Sequence, residues 1–182
     1  MGKMLNLLKE GDRRTVGRVA DAVRLATGKP AYLDELVDLL THANPAVRMR
    51  ASDALEKATA QTPNALLPHK EFLLELAEAA GQNEVRWHLA QTLTRMELET
   101  EEIFDLADLF GRWFRKADSR IVRTTALQGM FDLAHLDNSL AGDALKMLKA
   151  AAKSGVPALE ARARKLKGPL ERLKANSKGQ KA

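Results

Sequence analysis

Cysteine is absent from all 182 residues, so disulfides, thiolate metal sites and thiol nucleophiles are excluded. Aromatic residues make up only 4% of a chain that is 45% hydrophobic, and the apolar remainder is mostly Ala and Leu, which favour helices over strands. No apolar run approaches the length of a membrane span, and Leu5, Leu7 and Leu8 are cut off by Lys9 and Glu10, too short a run for a signal peptide. A soluble, cytoplasmic protein with no membrane partner is expected. No GxxxxGK[ST], GxGxxG or GxSxG pattern occurs, so phosphate-cradling loops and a serine nucleophile elbow are missing. The four histidines, His42, His69, His88 and His135, are never three or four residues apart, so no sequence-local metal pair exists. Neither a cofactor nor a metal nor a catalytic set is expected, and the protein reads as a non-enzyme.

Charge is unevenly spread. The net charge of +5 hides a segment, residues 146–182, in which 11 Lys/Arg face only Glu160 and Glu171. Folding gains nothing from crowding like charges at one end, so the segregation points to a partner or to a solvated, polar chain end.

What the chain does have is repetition. Asn44–Leu55, Asn83–Leu93 and Asp118–Met130 say nearly the same thing, with Val47, Val85 and Val122 each followed at once by Arg48, Arg86 and Arg123. The valines are 38 and 37 residues apart, and periods of this size mark stacked helix pairs, in which neighbours bury faces that one pair cannot bury alone. Behind each valine the apolar positions fall at i+4, i+7, i+8 and i+11. They are Ala51, Ala54, Leu55 and Ala58; Leu89, Thr92, Leu93 and Met96; and Ala126, Gly129, Met130 and Leu133. The small residues Ala54 and Gly129 allow a neighbouring helix to approach closely. An earlier unit shows at Arg18, Asp21, Ala22 and Val23, and a weaker later one from Leu159 to Ala163. Helix punctuation, Asn44 before Pro45 above all, predicts helices over 3–10, 12–27, 30–42, 45–60, 68–80, 83–97, 101–116, 119–135, 140–153, 157–167 and 169–175.

These repeats resemble the HEAT family, whose units are helix pairs with a Val-Arg step opening the second helix. The resemblance covers most of residues 12–167 and implies an all-α, right-handed solenoid of about five pairs. Residues 1–175 are expected to form one repeat domain, and 176–182, which have no apolar face to bury, a basic, disordered tail. It also implies that Arg48, Arg86 and Arg123 tie their turns to neighbouring repeats. The turn position that the family usually fills with Asp is Asn44, Asn83 and Asp118 here.

If the second helices form a concave wall, as the resemblance implies, the positions beside the stripe point into it. Arg18 and Asp21, Arg50 and Asp53 with Lys57, His88 and Gln91 with Arg95, Thr125 and Gln128, and then Arg162 and Lys165 make a polar, mostly basic groove. Such residues suit an extended or acidic protein or peptide more than a greasy ligand. The alternative partner is nucleic acid, with Arg162, Arg164, Lys165 and Lys167 neutralising phosphates, helped by Arg172 and Lys174. Other chemistries fit less well. In the acidic run Glu97, Glu99, Glu101 and Glu102, the last two read as the first turn of a helix capped by Thr100, with Asp105 and Asp108 on its outer face. In the stretch from Phe110 to Lys116 cations and rings alternate as a stacking platform needs, but the periodicity sends Phe110 and Phe114 inward and leaves Trp113 as the ring for which exposure stays open. DNA glycosylases built from similar repeats pair a tryptophan with a carboxylate one turn on; here Trp87 is followed by Gln91 and Trp113 by Ala117.

Overall fold

A computed structural model describes residues 2–10, 15 and 17–179. Among them there are ten α-helices and no strand, about 80% helix. The helices are α1 (Lys3–Leu8), α2 (Val19–Ala26), α3 (Pro30–Asp38), α4 (Pro45–Ala58), α5 (Lys70–Ala79), α6 (Asn83–Leu93), α7 (Thr100–Lys116), α8 (Arg120–Leu136), α9 (Ala141–Ala152) and α10 (Pro157–Gly179). Short 3₁₀ segments follow α3 and precede α5 and α9. No helix among the described residues is long and apolar enough to cross a membrane.

The chain divides into two compact units, 1–97 and 98–182. In the first, α4 is central and packs on α2, α3 and α6, while α5 packs on α6. In the second, α8 packs on α7, α9 and α10, and α9 packs on α10.

Every stripe position that the periodicity predicts is buried, from Val47 at 0% exposure to Met130 at 6%. Val47, Val85 and Val122 are each the third residue of a helix, so the register is the same three times. The arginine that follows each valine reaches back to a backbone carbonyl. Arg48 donates to His42 O at 2.7 Å and Ala43 O at 3.0 Å, Arg86 to Ala80 O at 2.5 Å, and Arg123 to Phe114 O at 3.0 Å. These carbonyls lie at or beyond helix ends, where no intrahelical donor is available. Arg48 also crosses to the next pair, donating to Gln82 Oε1 at 2.8 Å, while Gln82 Nε2 donates to Pro45 O.

The caps differ in detail from expectation. Asn44 caps α4 by accepting from Ala46 N, but Ser119 rather than Asp118 caps α8. Glu99 caps α7 in a reciprocal box with Glu102, whose carboxylate accepts from Glu99 N at 2.7 Å, so the cap falls one residue before Thr100. Helix α6 stops at Leu93, short of the expected 97, where the Thr92 and Thr94 hydroxyls bond back to His88 O and Ala90 O and the chain tightens into i+3 bonds at Arg95 and Met96. The expected helix over 12–27 starts only at Val19; residues 11–14 and 16 lie outside the described residues.

The expected break at Gly168 and Pro169 is overturned, because α10 runs on to Gly179. Proline there removes one backbone bond, to the carbonyl of exposed Lys165, while Leu166 and Leu170 on either side of it are buried at 5% and 1% exposure. The continuing apolar stripe outweighs the lost bond. It also carries the backbone of 176–179 into helix where a tail was expected; residues 180–182 lie outside the described residues.

Gly129 shows how closely the pairs are packed. A Cβ built there meets Phe110 Cε2 at 2.5 Å, and Phe110 is fully buried. In a helix interior Gly→Ala ordinarily stabilises by about 1 kcal/mol. Here Gly129→Ala is expected to destabilise by about 1 to 3 kcal/mol in urea unfolding, because the ring has nowhere to go. Adding Phe110→Leu is expected to recover part of that loss; a neutral or stabilising Gly129→Ala refutes the close α7–α8 contact.

Candidate functional site: the polar faces of the second helices

In the first unit, the side-by-side packing of α4 and α6 brings five charged or titratable groups together. Asp53 and Glu56, one turn apart on α4, are buried at 7% and 9% exposure. Each has a cation. Lys57 Nζ lies 2.7 Å from Asp53 Oδ1, and Arg95 Nη1 lies 2.6 Å from Glu56 Oε1. Between the two carboxylates sits His88 of α6, with Nε2 3.9 Å from Asp53 Oδ1 and Nδ1 3.9 Å from Glu56 Oε2. Both separations are too long for hydrogen bonds, and the buried Nδ1 has no hydrogen-bond partner. Burial pushes the imidazole below its ordinary pKa, against the pull of the Asp53 and Glu56 charges, so the ring is held in its neutral form. Trp87 stacks beside it at a ring-centroid distance of 5.7 Å, and Gln91 turns back to donate to Trp87 O.

The second unit repeats the arrangement with other chemistry. Arg162 of α10 donates to Gln128 Oε1 of α8 at 2.6 Å, and Gln128 Nε2 donates to Asp132 Oδ1 at 2.8 Å. His88 stands three residues after Val85 and Asp53 six after Val47; Arg162 stands three after Leu159 and Gln128 six after Val122. In both units, then, the residue one turn into a second helix reaches the residue two turns into the preceding one.

Several expected groove residues lie elsewhere. Arg50, at 1% exposure, does not line a groove: its guanidinium donates to Leu8 O at 2.8 Å and Thr15 O at 3.1 Å. Leu8 ends α1, so Arg50 caps that helix and ties down the connection to α2. Gly17 makes room for it, with φ of 53° and a position whose Cβ would lie 3.3 Å from Arg50 Nε. Arg18 is exposed at the start of α2 and pairs with Asp21, whose carboxyl its hydrogen bond holds below the usual range. Thr125 is half-buried, and its hydroxyl bonds back to Ile121 O and Val122 O.

The polar face that α4 and α6 share is also not mostly basic. Glu56, which was not among the expected contact residues, balances Arg95, as Asp53 balances Lys57. The signal for it was present: Asp53 and Glu56 are at i, i+3 and share a helix face.

Of the phosphate-binding candidates, Arg164, Lys165 and Lys167 are exposed, while Arg162 is half-buried and engaged by Gln128. Trp113 is buried at 6% exposure against Phe110, which removes it from any exposed stacking platform. The other histidines stand apart from the cluster around His88: His42 Nδ1 accepts from Asn44 N, His69 meets Asp34, 35 residues away in sequence, at 2.7 Å, and His135 meets Phe131 O at 2.9 Å. The second unit also holds an open, largely apolar cavity of about 410 Å³ between α7 and α9, floored by Phe114, Met130 and Met147, which includes none of the sequence-predicted site residues.

Comparison of the chain with protein-family models, with curated proteins and with solved structures found no match.

Proposed function

We propose that this protein is a non-enzymatic, HEAT-like scaffold, its helix pairs following one another as a right-handed α-solenoid, that binds a protein or peptide through the polar faces of its second helices. The observation that carries this reading is the bonding among polar side chains on the second helices of each unit: Arg162 to Gln128 to Asp132 in one, and the Asp53–Lys57 and Glu56–Arg95 pairs flanking His88 in the other. Side chains braced by one another lose little freedom when a ligand arrives, so they suit recognition of an extended chain. With Arg18, Asp21, Arg50, Thr125 and Lys165 removed and Glu56 added, the contact residues are Asp53, Glu56, Lys57, His88, Gln91 and Arg95 in one unit and Gln128 and Arg162 in the other. The mixed charge favours a partner of mixed sequence rather than a uniformly acidic one.

Photo-crosslinking residues placed at Gln91 and Gln128, and at outward Glu78 as a control, test this in cells producing the protein. Discrete adducts with another polypeptide from the first two positions, absent at the third, are expected. Equal labelling from all three positions defeats the reading.

A second reading rests on α10, where exposed Arg164, Lys165 and Arg172 fall on one face, around Gly168. That face suits a phosphate backbone. Its test is titration with random single- and double-stranded DNA and RNA: log affinity should fall linearly with log salt, and replacing Arg162, Arg164, Lys165 and Lys167 should flatten the slope by nearly one unit per lost contact. Tight, salt-sensitive binding lost in that variant establishes nucleic acid as the partner in place of protein.

A further inference from the structure

The cluster between α4 and α6 has a chemistry that partner binding does not require. Two buried carboxylates and a neutral imidazole, one ligand atom from each, lie within 4.8 Å of one another. An ordinary buried ion network leaves no polar atom idle. Here the Nδ1 atom of His88 is enclosed without a hydrogen-bond partner and faces Glu56 Oε2 at 3.9 Å. Glu56 spends its other oxygen, Oε1, on Arg95.

We propose that Asp53, Glu56 and His88 form a divalent-cation site of the zinc class that joins α4 to α6. Ligands at zinc distances of about 2.0 to 2.2 Å in a tetrahedral arrangement stand about 3.4 Å apart. Asp53 and Glu56 face different ring nitrogens of His88, each at 3.9 Å, and the three ligand atoms lie within 4.8 Å of one another, so gathering them round one ion takes side-chain rotations that close gaps of up to about 1.4 Å. One imidazole nitrogen with two carboxylate oxygens suits zinc better than magnesium or calcium, which prefer all-oxygen shells. Lys57 and Arg95 stand in for the cation. Their side chains are 53% and 37% exposed, and both reach the carboxylates from solvent, so they swing away as the metal enters. Three protein ligands leave a fourth position for water or for a side chain of a bound protein.

The test uses the full-length, tag-free chain, stripped with chelator and titrated with zinc chloride by calorimetry. One zinc per chain is expected, with a rise in melting temperature. The fluorescence of Trp87, stacked on His88, is expected to change at the same stoichiometry. His88→Ala and Glu56→Gln should each weaken binding by about tenfold or more, since losing a ligand costs at least as much as losing a residue that orients one. Circular dichroism checks that both variants remain helical. No binding by the native chain at millimolar zinc overturns the site, as does binding of undiminished strength in both variants. Neither result touches the crosslinking outcome at Gln91 and Gln128.

Discussion

Replacing Arg50 by methionine is expected to lower the unfolding free energy by about 2 to 4 kcal/mol, because the Leu8 and Thr15 carbonyls lose their guanidinium donors inside the protein. Methionine fills much of the same space, so the loss reports hydrogen bonding rather than a void. Arg50→Lys should restore little, since one ammonium does not reproduce the planar fork that serves Nε and Nη1 acceptors on two different segments. Arg18→Met, at an exposed position, should change stability by less than about 0.5 kcal/mol. Urea midpoints of the three variants decide the matter. If Arg50→Met unfolds no earlier than Arg18→Met, Arg50 is not the cap of α1 and its return to the groove has to be considered. The same variant should raise hydrogen exchange in α1 before that in α6, because α1 depends on α2, α3 and α4 for its contacts.

The second large effect is expected at Leu93. Its side chain is fully buried on α6, and truncation to alanine leaves a void lined by residues already in contact, at a cost of about 2 to 5 kcal/mol. Leu136→Ala, at 51% exposure on α8, is the matched control and should cost far less. Equal shifts in melting temperature contradict a core built on the repeated stripe. Because helical repeats are held chiefly by nearest neighbours, the Leu93→Ala loss should appear first as local opening of the first unit, visible in hydrogen exchange before global unfolding.

Legibility from the sequence divides by range. Local and periodic features were readable because they depend on spacing along one helix. The stripe from Val47 to Ala58 and its copies needed only the 3.6-residue period, and all are buried. The Asn44 cap was readable because a side chain that bonds two residues along its own backbone carries its partner with it in sequence. Where two local signals competed, the sequence did not say which won. Pro169 reads as a stop, yet the apolar residues Leu166 and Leu170 carry α10 through it.

The site residues were harder, and one comparison shows why. Arg50 and His88 occupy the same place in two copies of the repeat, three residues after the valine, so no periodicity separates them. Their fates depend on what lies across from each. Arg50 meets the orphan carbonyl at the end of α1 and is consumed as a cap, whereas His88 meets the Asp53 and Glu56 carboxylates and keeps an unsatisfied nitrogen. The amino-acid sequence by itself determined the all-helical class, the register of the repeated helices and which face of each is apolar, because these follow from backbone geometry and the spacing of side chains. Only the tertiary structure decided which polar residues are spent on holding helices together and which are left with chemistry to offer, because that depends on contacts between residues some 35 positions apart, such as Asp53 with His88 and Gln128 with Arg162.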